Sequence, residues 1–157
     1  MAQYEISHQC GHTATVQIYG TDVNGERKQR AAWLATRPCT SCYRARQQRE
    51  RDARNGSAVA QAAADGLPEL TGTAKQVAWA VTIRQETLDG LRQDLSRYDD
   101  ATAGAVMGIY RRIAARETSA SAWIDAREAG ETRQLIKKHR TEQDTLDSRA
   151  ILAARQR

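Results

Sequence analysis

The chain has 157 residues and a formal net charge of +5, and this length suits one ordinary domain or two small ones. Large aliphatic residues are scarce and phenylalanine is absent, whereas alanine and arginine are abundant. This composition favours helices around a thin core and argues against a β-sandwich, a β-barrel or a large α/β enzyme. No apolar run approaches the length of about 18 residues that a membrane span needs. The N-terminus lacks the basic and apolar regions of a secretory signal, so we expect a cytoplasmic protein with no membrane partner.

The first predicted elements are two short strands, over residues 3–8 and 13–19, because apolar and polar residues alternate along both. Tyr4, Ile6 and His8 share one face of the first strand. Ala14, Val16 and Ile18 share one face of the second. Gly11 suits a tight turn between the two strands. The segment therefore predicts a β-hairpin.

Three cysteines and one histidine have the spacing of a metal site. Cys10 and His12 lie in the predicted turn, and Cys39 and Cys42 form a C-x-x-C pair further along the chain. An odd number of cysteines without a signal peptide argues against a disulfide framework. Thiolates and imidazole suit tetrahedral zinc, and four protein ligands leave no open position for water. We therefore predict one structural zinc ion per chain, held by these four residues.

A second histidine offers an alternative ligand. Alternate residues of an extended strand lie on the same side, so His8 could replace His12 as the partner of Cys10. We prefer His12, because Gly11 provides the turn that brings His12 and Cys10 together.

Helices dominate the rest of the predicted structure. A short helix over residues 26–36 ends at Pro38, and an arginine-rich helix follows from Tyr43 to about Asn55-Gly56. The small, weakly patterned residues 56–72 predict a boundary between modules, with a helical stretch of alanines inside it as an open alternative. The proposed organisation is a zinc-ribbon-like module with a basic helix over 1–55, a linker over 56–72, and a helical module over 73–157.

The helical module is predicted as a bundle or hairpin array of three or four helices. A capping box at Thr73 opens its first helix, and the pair Asp99-Asp100 starts a second helix over 101–116. A short helix around Trp123, with its N-cap within residues 118–121, and a last helix over 131–155 complete it. The first and last helices each carry an apolar stripe, formed by Val77, Val81, Leu88, Leu91, Leu95 and Tyr98 in the first and, more weakly, by Leu135, Ile136, His139, Leu146 and Ile151 in the last. The expected fold class is mainly α with a small N-terminal β-hairpin, and Trp123 and Trp79 are expected in the core.

Two groups of basic residues are candidates for binding a partner. Arginine suits phosphate because its planar guanidinium forms bidentate hydrogen bonds, and a small zinc module followed by a basic helix is typical of nucleic-acid readers. The first group follows the C-x-x-C pair and the second lies near the C-terminus. The candidates are Arg44, Arg46, Arg49, Arg51 and Arg54, then Arg133, Lys137, Lys138 and Arg140.

Three segments of the chain carry a family resemblance. They are residues 4–45, with Cys10-Gly-His12, Val16-Gln-Ile-Tyr-Gly20 and Pro38-Cys-Thr-Ser-Cys-Tyr43, residues 67–84, with LTGTAKQVAWA, and residues 117–127, with WIDAR. Together they resemble a family of actinobacterial phage and plasmid proteins that has an N-terminal zinc-ribbon-like module. The resemblance implies an accessory protein of a mobile element, working in a bacterial host cell, and it assigns no catalytic residue.

The expected function is binding and not catalysis. The sequence has no P-loop, no G-x-S-x-G, no dinucleotide fingerprint and no H-E-x-x-H, and zinc would use all three thiols. The first hypothesis is a phage or plasmid accessory protein that contacts nucleic acid or a nucleoprotein through the basic helix. The alternative is a protein inhibitor of a host machine, such as an anti-CRISPR protein or a modulator of RNA polymerase. Neither hypothesis predicts an oligomeric state.

Overall fold

The computed structural model describes residues 2–154. Within these residues the chain forms one β-hairpin and seven helices, which confirms the mainly α fold class with a small N-terminal hairpin. The elements are β1 (Ala2–Ser7), β2 (Thr13–Ile18), α1 (Glu26–Ala35), α2 (Thr40–Ala64), α3 (Ala74–Asp94), α4 (Asp100–Ala114), α5 (Ala120–Glu128), α6 (Thr132–Lys138) and α7 (Glu142–Ala154). The chain divides into two compact units, of which the first ends at Asp52 and the second begins at Ala53.

The first unit is built on the hairpin. β1 and β2 pair antiparallel, with Tyr4 opposite Val16 and Ile6 opposite Ala14. Even-numbered residues of both strands turn towards α1 and are wholly or partly buried, whereas odd-numbered residues are exposed, as the alternation predicts. Gly11 has the positive φ of 79° that the turn requires.

Helix α2 differs from its prediction at both ends. It begins at Thr40 and not at Tyr43, so the C-x-x-C pair overlaps its first turn. Its predicted end at Asn55-Gly56 is wrong, because the helix continues to Ala64. Small apolar side chains beyond Gly56 are buried and stabilise the continuation. The helix ends where Gly66 adopts a left-handed conformation. The first half of the predicted linker is therefore helical.

The second unit is a helical array around one apolar core. Its central helix, α3, packs against α4, α5 and α6, and α4 also packs against α6 and α7. The apolar stripe predicted on α3 is buried, including Val81, Leu88 and Leu91. Trp123 of α5 has no exposed surface, and its indole N–H donates to the Glu117 carbonyl oxygen at 3.2 Å. Its predicted core position is confirmed.

The helix starts predicted in this unit are confirmed. Thr73 and Gln76 form the capping box of α3. Asp99 accepts a hydrogen bond from the Thr102 backbone N–H at 2.9 Å and caps α4, and Ser119 caps α5. Such caps satisfy backbone donors that have no partner within the helix.

The single last helix predicted over 131–155 is wrong. The chain forms α6 and α7 instead, separated by residues 139–141. The break is stabilised because Asp144 accepts hydrogen bonds from the backbone N–H and the hydroxyl of Thr141, at 2.9 and 2.8 Å. The buried face of α7 carries Asp144 and Ser148, and the predicted stripe residue Leu146 is exposed. The last predicted residue, 155, lies outside the described residues.

Trp79 is also placed differently from its prediction. Its side chain is 47% exposed on α3, because the buried face of this helix runs along its neighbours Ala80 and Val81.

None of the helices described between residues 2 and 154 has the length and apolar character that crossing a membrane requires.

Candidate metal centre

The hairpin turn and the start of α2 bring the four predicted ligands together. Cys10 and His12 flank Gly11 in the turn, and Cys39 and Cys42 lie immediately before α2 and in its first turn. One ligand atom from each of the four residues lies within 4.8 Å of the others. The sequence therefore predicted the members of this group correctly, and the group can hold a metal ion.

Two of the distances between donor atoms are close to those around a tetrahedral ion. Zinc bonds of about 2.3 Å to sulfur and about 2.0–2.1 Å to nitrogen place neighbouring ligand atoms about 3.6–3.8 Å apart. His12 Nδ1 lies 3.2 Å from Cys42 Sγ and 3.8 Å from Cys39 Sγ. The imidazole therefore faces the thiols with Nδ1, and the four donor atoms, which lie within 4.8 Å of one another, would move closer together around an ion.

Backbone hydrogen bonds hold the ligand loop in place. The His8 N–H donates to the His12 carbonyl oxygen at 2.9 Å, and the Gly11 N–H donates to the His8 carbonyl oxygen at 2.9 Å. The Gln9 N–H donates to the Arg37 carbonyl oxygen at 3.1 Å, which ties the turn to the segment that leads into α2. These bonds position the turn independently of any ion.

Groups around the sulfur atoms suit thiolates. The Cys39 backbone N–H donates to Cys10 Sγ at 3.2 Å, and the Ser41 hydroxyl lies 3.1 Å from Cys39 Sγ. Cys42 lies at the N-terminal end of α2, where the helix dipole favours negative charge. Such outer partners orient metal ligands and tune their basicity.

His8 is not part of the group. Its Nδ1 donates to the Leu34 carbonyl oxygen at 3.1 Å, and its side chain is buried between the hairpin and α1. Of the two histidines, His12 is the one that lies with the three cysteines in a group that could hold a metal ion.

The pKa values of the three thiols shift in different directions. The hydrogen bond with the Ser41 hydroxyl lowers the pKa of Cys39. Hydrogen bonds from the backbone of Cys39 and of His12 lower the pKa of Cys10 to about 6. The hydrogen bond with the Cys39 sulfur, together with burial, raises the pKa of Cys42 to about 11. Contact with the Cys10 thiolate raises the pKa of His12. Three thiolates in one cluster repel each other, and a bound cation would remove that repulsion.

The basic residues predicted on α2 are all exposed. Arg46 Nε donates to Glu50 Oε1 at 2.7 Å, so a carboxylate offsets its charge. Arg44, Arg49 and Arg51 have no carboxylate partner among the ion pairs of residues 2–154. The fifth basic residue predicted on α2, Arg54, belongs to the second unit, which begins at Ala53.

The basic residues predicted near the C-terminus have different surroundings. Arg133 pairs with Asp94 at 2.6 Å, and Arg140 Nη2 donates to the Ser148 hydroxyl at 2.7 Å. Lys137 and Lys138 are exposed in the last turn of α6. Two of the four residues are therefore occupied by contacts within their own unit, and their role in binding remains a prediction.

Sequence reasoning missed two side-chain clusters. In the second unit Asp144, 1% exposed, contacts both Arg112 and Arg116. In the first unit Trp33 lies against Arg30 and Arg37. The i, i+3 spacing of Arg30 and Trp33 on α1 is a signal that could have indicated the second cluster.

The chain was compared with known proteins by sequence and by structure. No family model, no curated protein and no solved structure matches it. The metal-ligand group and the distribution of charge therefore carry the functional argument.

Proposed function

We propose that the protein is a nucleic-acid-binding accessory protein whose N-terminal unit is held together by one structural zinc ion. The observation that supports this most is the Cys3His group, in which three sulfur atoms and one imidazole nitrogen meet within 4.8 Å. A set of four soft sulfur and borderline nitrogen donors favours zinc. The closed set of four ligands supports a structural role.

The proposed binding surface is the N-terminal half of α2. Arg44 and Arg51 are seven residues apart and so lie on the same face of the helix. Both are exposed and lack a carboxylate partner among residues 2–154. Because the helix begins at the metal centre, a bound ion would fix the start of this basic face. Phosphate groups of nucleic acid suit such a face.

The wider biological setting is part of the same proposal. The resemblance to actinobacterial phage and plasmid proteins supports a mobile-element accessory protein that works in the cytoplasm of a bacterial host cell. We propose a binding role without catalysis. The competing class, a mobile-element inhibitor of a host machine, would use the same basic face to approach an acidic protein surface.

We expect the salt dependence of binding to report phosphate contacts at this face. The logarithm of the affinity for duplex DNA should fall by about 0.9 per contact for each unit of log salt concentration. Replacing both Arg44 and Arg51 with glutamine should lower that slope by about two. Fluorescence anisotropy with a labelled duplex over a series of KCl concentrations measures it.

A matched control removes charged side chains without changing the net charge. The double variant Arg46→Gln with Glu50→Gln deletes an ion pair on the same helix and should leave the slope unchanged. An unaltered slope in the Arg44 and Arg51 variant would contradict the proposed surface. Absence of binding to any nucleic acid at low salt would contradict the proposed function and favour a protein partner.

A further inference from the structure

An exposed tryptophan on α1 lies against two arginines. The Trp33 side chain is 41% exposed, and its ring centroid is 4.2 Å from the guanidinium carbon of Arg30 and 4.1 Å from that of Arg37. At these distances each cation is attracted to the aromatic ring. Neither arginine has a carboxylate partner among the ion pairs of residues 2–154. We call Arg30, Trp33 and Arg37 the α1 cluster.

The α1 cluster does not serve the core of its unit. Helix α1 contains no buried residue, and the hairpin packs against it through the buried side chains of Ile6, His8 and Ile18. The tryptophan is therefore 41% exposed, with two guanidinium groups held over its ring, so that the three planar groups lie together at the surface. Holding the guanidinium groups in advance lowers the entropic cost of binding a ligand.

A groove continues from the cluster. It has a volume of about 590 Å³ and runs between the end of β2 and α1, where Tyr19, Arg30 and Leu34 line it. Tyr19 is 67% exposed. The acidic residue in its wall, Glu26, accepts hydrogen bonds from the Asn24 backbone N–H and side-chain amide, at 3.0 and 3.3 Å.

We infer that the α1 cluster and the groove beside Arg30 bind single-stranded nucleic acid. An unpaired base stacks on the planar surface of Trp33 and its arginines, and a neighbouring phosphate contacts a guanidinium group. The inference rests on the proposed function and specifies its ligand class.

The chemistry of the cluster favours a single strand over a duplex. Bases of a duplex are already stacked on one another, so their faces cannot reach a protein side chain, whereas unpaired bases stack on aromatic rings and guanidinium planes. A duplex would use only the positive charges. An acidic peptide would also use only the charges and would not stack on the planar groups of the α1 cluster.

Substitution of the tryptophan tests the inference. Trp33→Ala should weaken binding of a fluorescein-labelled oligothymidylate by about tenfold, the loss expected for one stacked base, and change the affinity for a duplex of equal length by less than about twofold. Trp33→Phe, which keeps a ring, should retain most of the affinity. Trp79→Ala removes a tryptophan of similar exposure from the second unit and should change neither affinity. The metal content of each variant monitors folding of the first unit.

A second variant leaves Trp33 in place. Arg30→Lys keeps the charge but removes the planar face, so it should weaken oligothymidylate binding severalfold and leave duplex binding unchanged. Equal losses on both ligands, or no loss on oligothymidylate for Trp33→Ala and Arg30→Lys, would overturn the inference. Salt-dependent binding of the unaltered protein to duplex alone would overturn it while leaving the proposed function intact. Binding to neither ligand would contradict both.

Discussion

Cys39→Ser is expected to abolish metal binding and to unfold the N-terminal unit. Apart from Cys39, the buried apolar residues of this unit within the described chain are Ile6 and Ile18, and each contributes only about 1.5–3 kcal/mol. Structural zinc contributes about 10–16 kcal/mol of apparent binding free energy in zinc-finger peptides. Removal of one ligand therefore removes most of what holds this unit together. Zinc content and two-dimensional NMR of the full chain measure the effect.

The three tryptophans report the two units separately. The indole signal of Trp33 should move to its unfolded position, whereas that of Trp123, whose N–H is buried and bonded to Glu117, should stay in place. As a control, His8→Asn can keep a donor to the Leu34 carbonyl and should retain the metal. Loss of the Trp123 signal in Cys39→Ser would contradict the independence of the helical unit.

Asp144→Asn is expected to destabilise the helical unit by about 3 kcal/mol, the lower end of the range for breaking a buried ion pair. The carboxylate is 1% exposed and bonds to Arg116, to Arg112 at 3.0 Å and to Thr141. The lower end applies because both arginines retain contact with solvent. Thermal unfolding followed by the indole NMR signal of Trp123 measures the loss. Asp147→Asn is the matched control, since Asp147 pairs with the same Arg112 at a more exposed position, and it should have little effect.

Lowering the pH should reproduce part of the loss of stability that is expected for Asp144→Asn. Hydrogen bonds from Arg116, and then from Thr141 and Arg112, hold the pKa of Asp144 well below its usual range. A carboxyl with a lowered folded-state pKa stabilises the fold above its unfolded pKa of about 3.9, and the stabilisation disappears as the pH falls below that value. The stability of Asp144→Asn should therefore fall less steeply between pH 5 and pH 2 than that of the unaltered protein, as a urea series at each pH would show. Parallel pH profiles would contradict this role of Asp144.

The hairpin and the group of residues that could hold a metal ion could be predicted because their signals are local. Alternation places Ile6 and Ile18 on the buried face, a glycine provides the turn, and few residue types ligate zinc. The choice of His12 over His8 also followed from the turn. The atom that faces the thiols, Nδ1, depends on the orientation of the ring, which spacing does not determine.

The errors occurred where packing between distant segments decides the structure. Gly56 resembles a helix end, but the buried side chains of Ala58 and Ala62 extend α2 past it. The pattern of α7 suggested an apolar stripe with Leu146, whereas two arginines from α4 and its C-terminal end select Asp144 for the buried face. Partners so far apart along the chain leave no periodic signal in the sequence.

The zinc content of the freshly purified full-length protein, prepared without chelator, tests the central proposal most directly. Elemental analysis should find one zinc ion per chain, because Cys10, His12, Cys39 and Cys42 provide one complete set of four ligands. The ion should resist dialysis at neutral pH and leave when acid protonates the thiolates. A folded N-terminal unit with no bound metal would contradict the proposal.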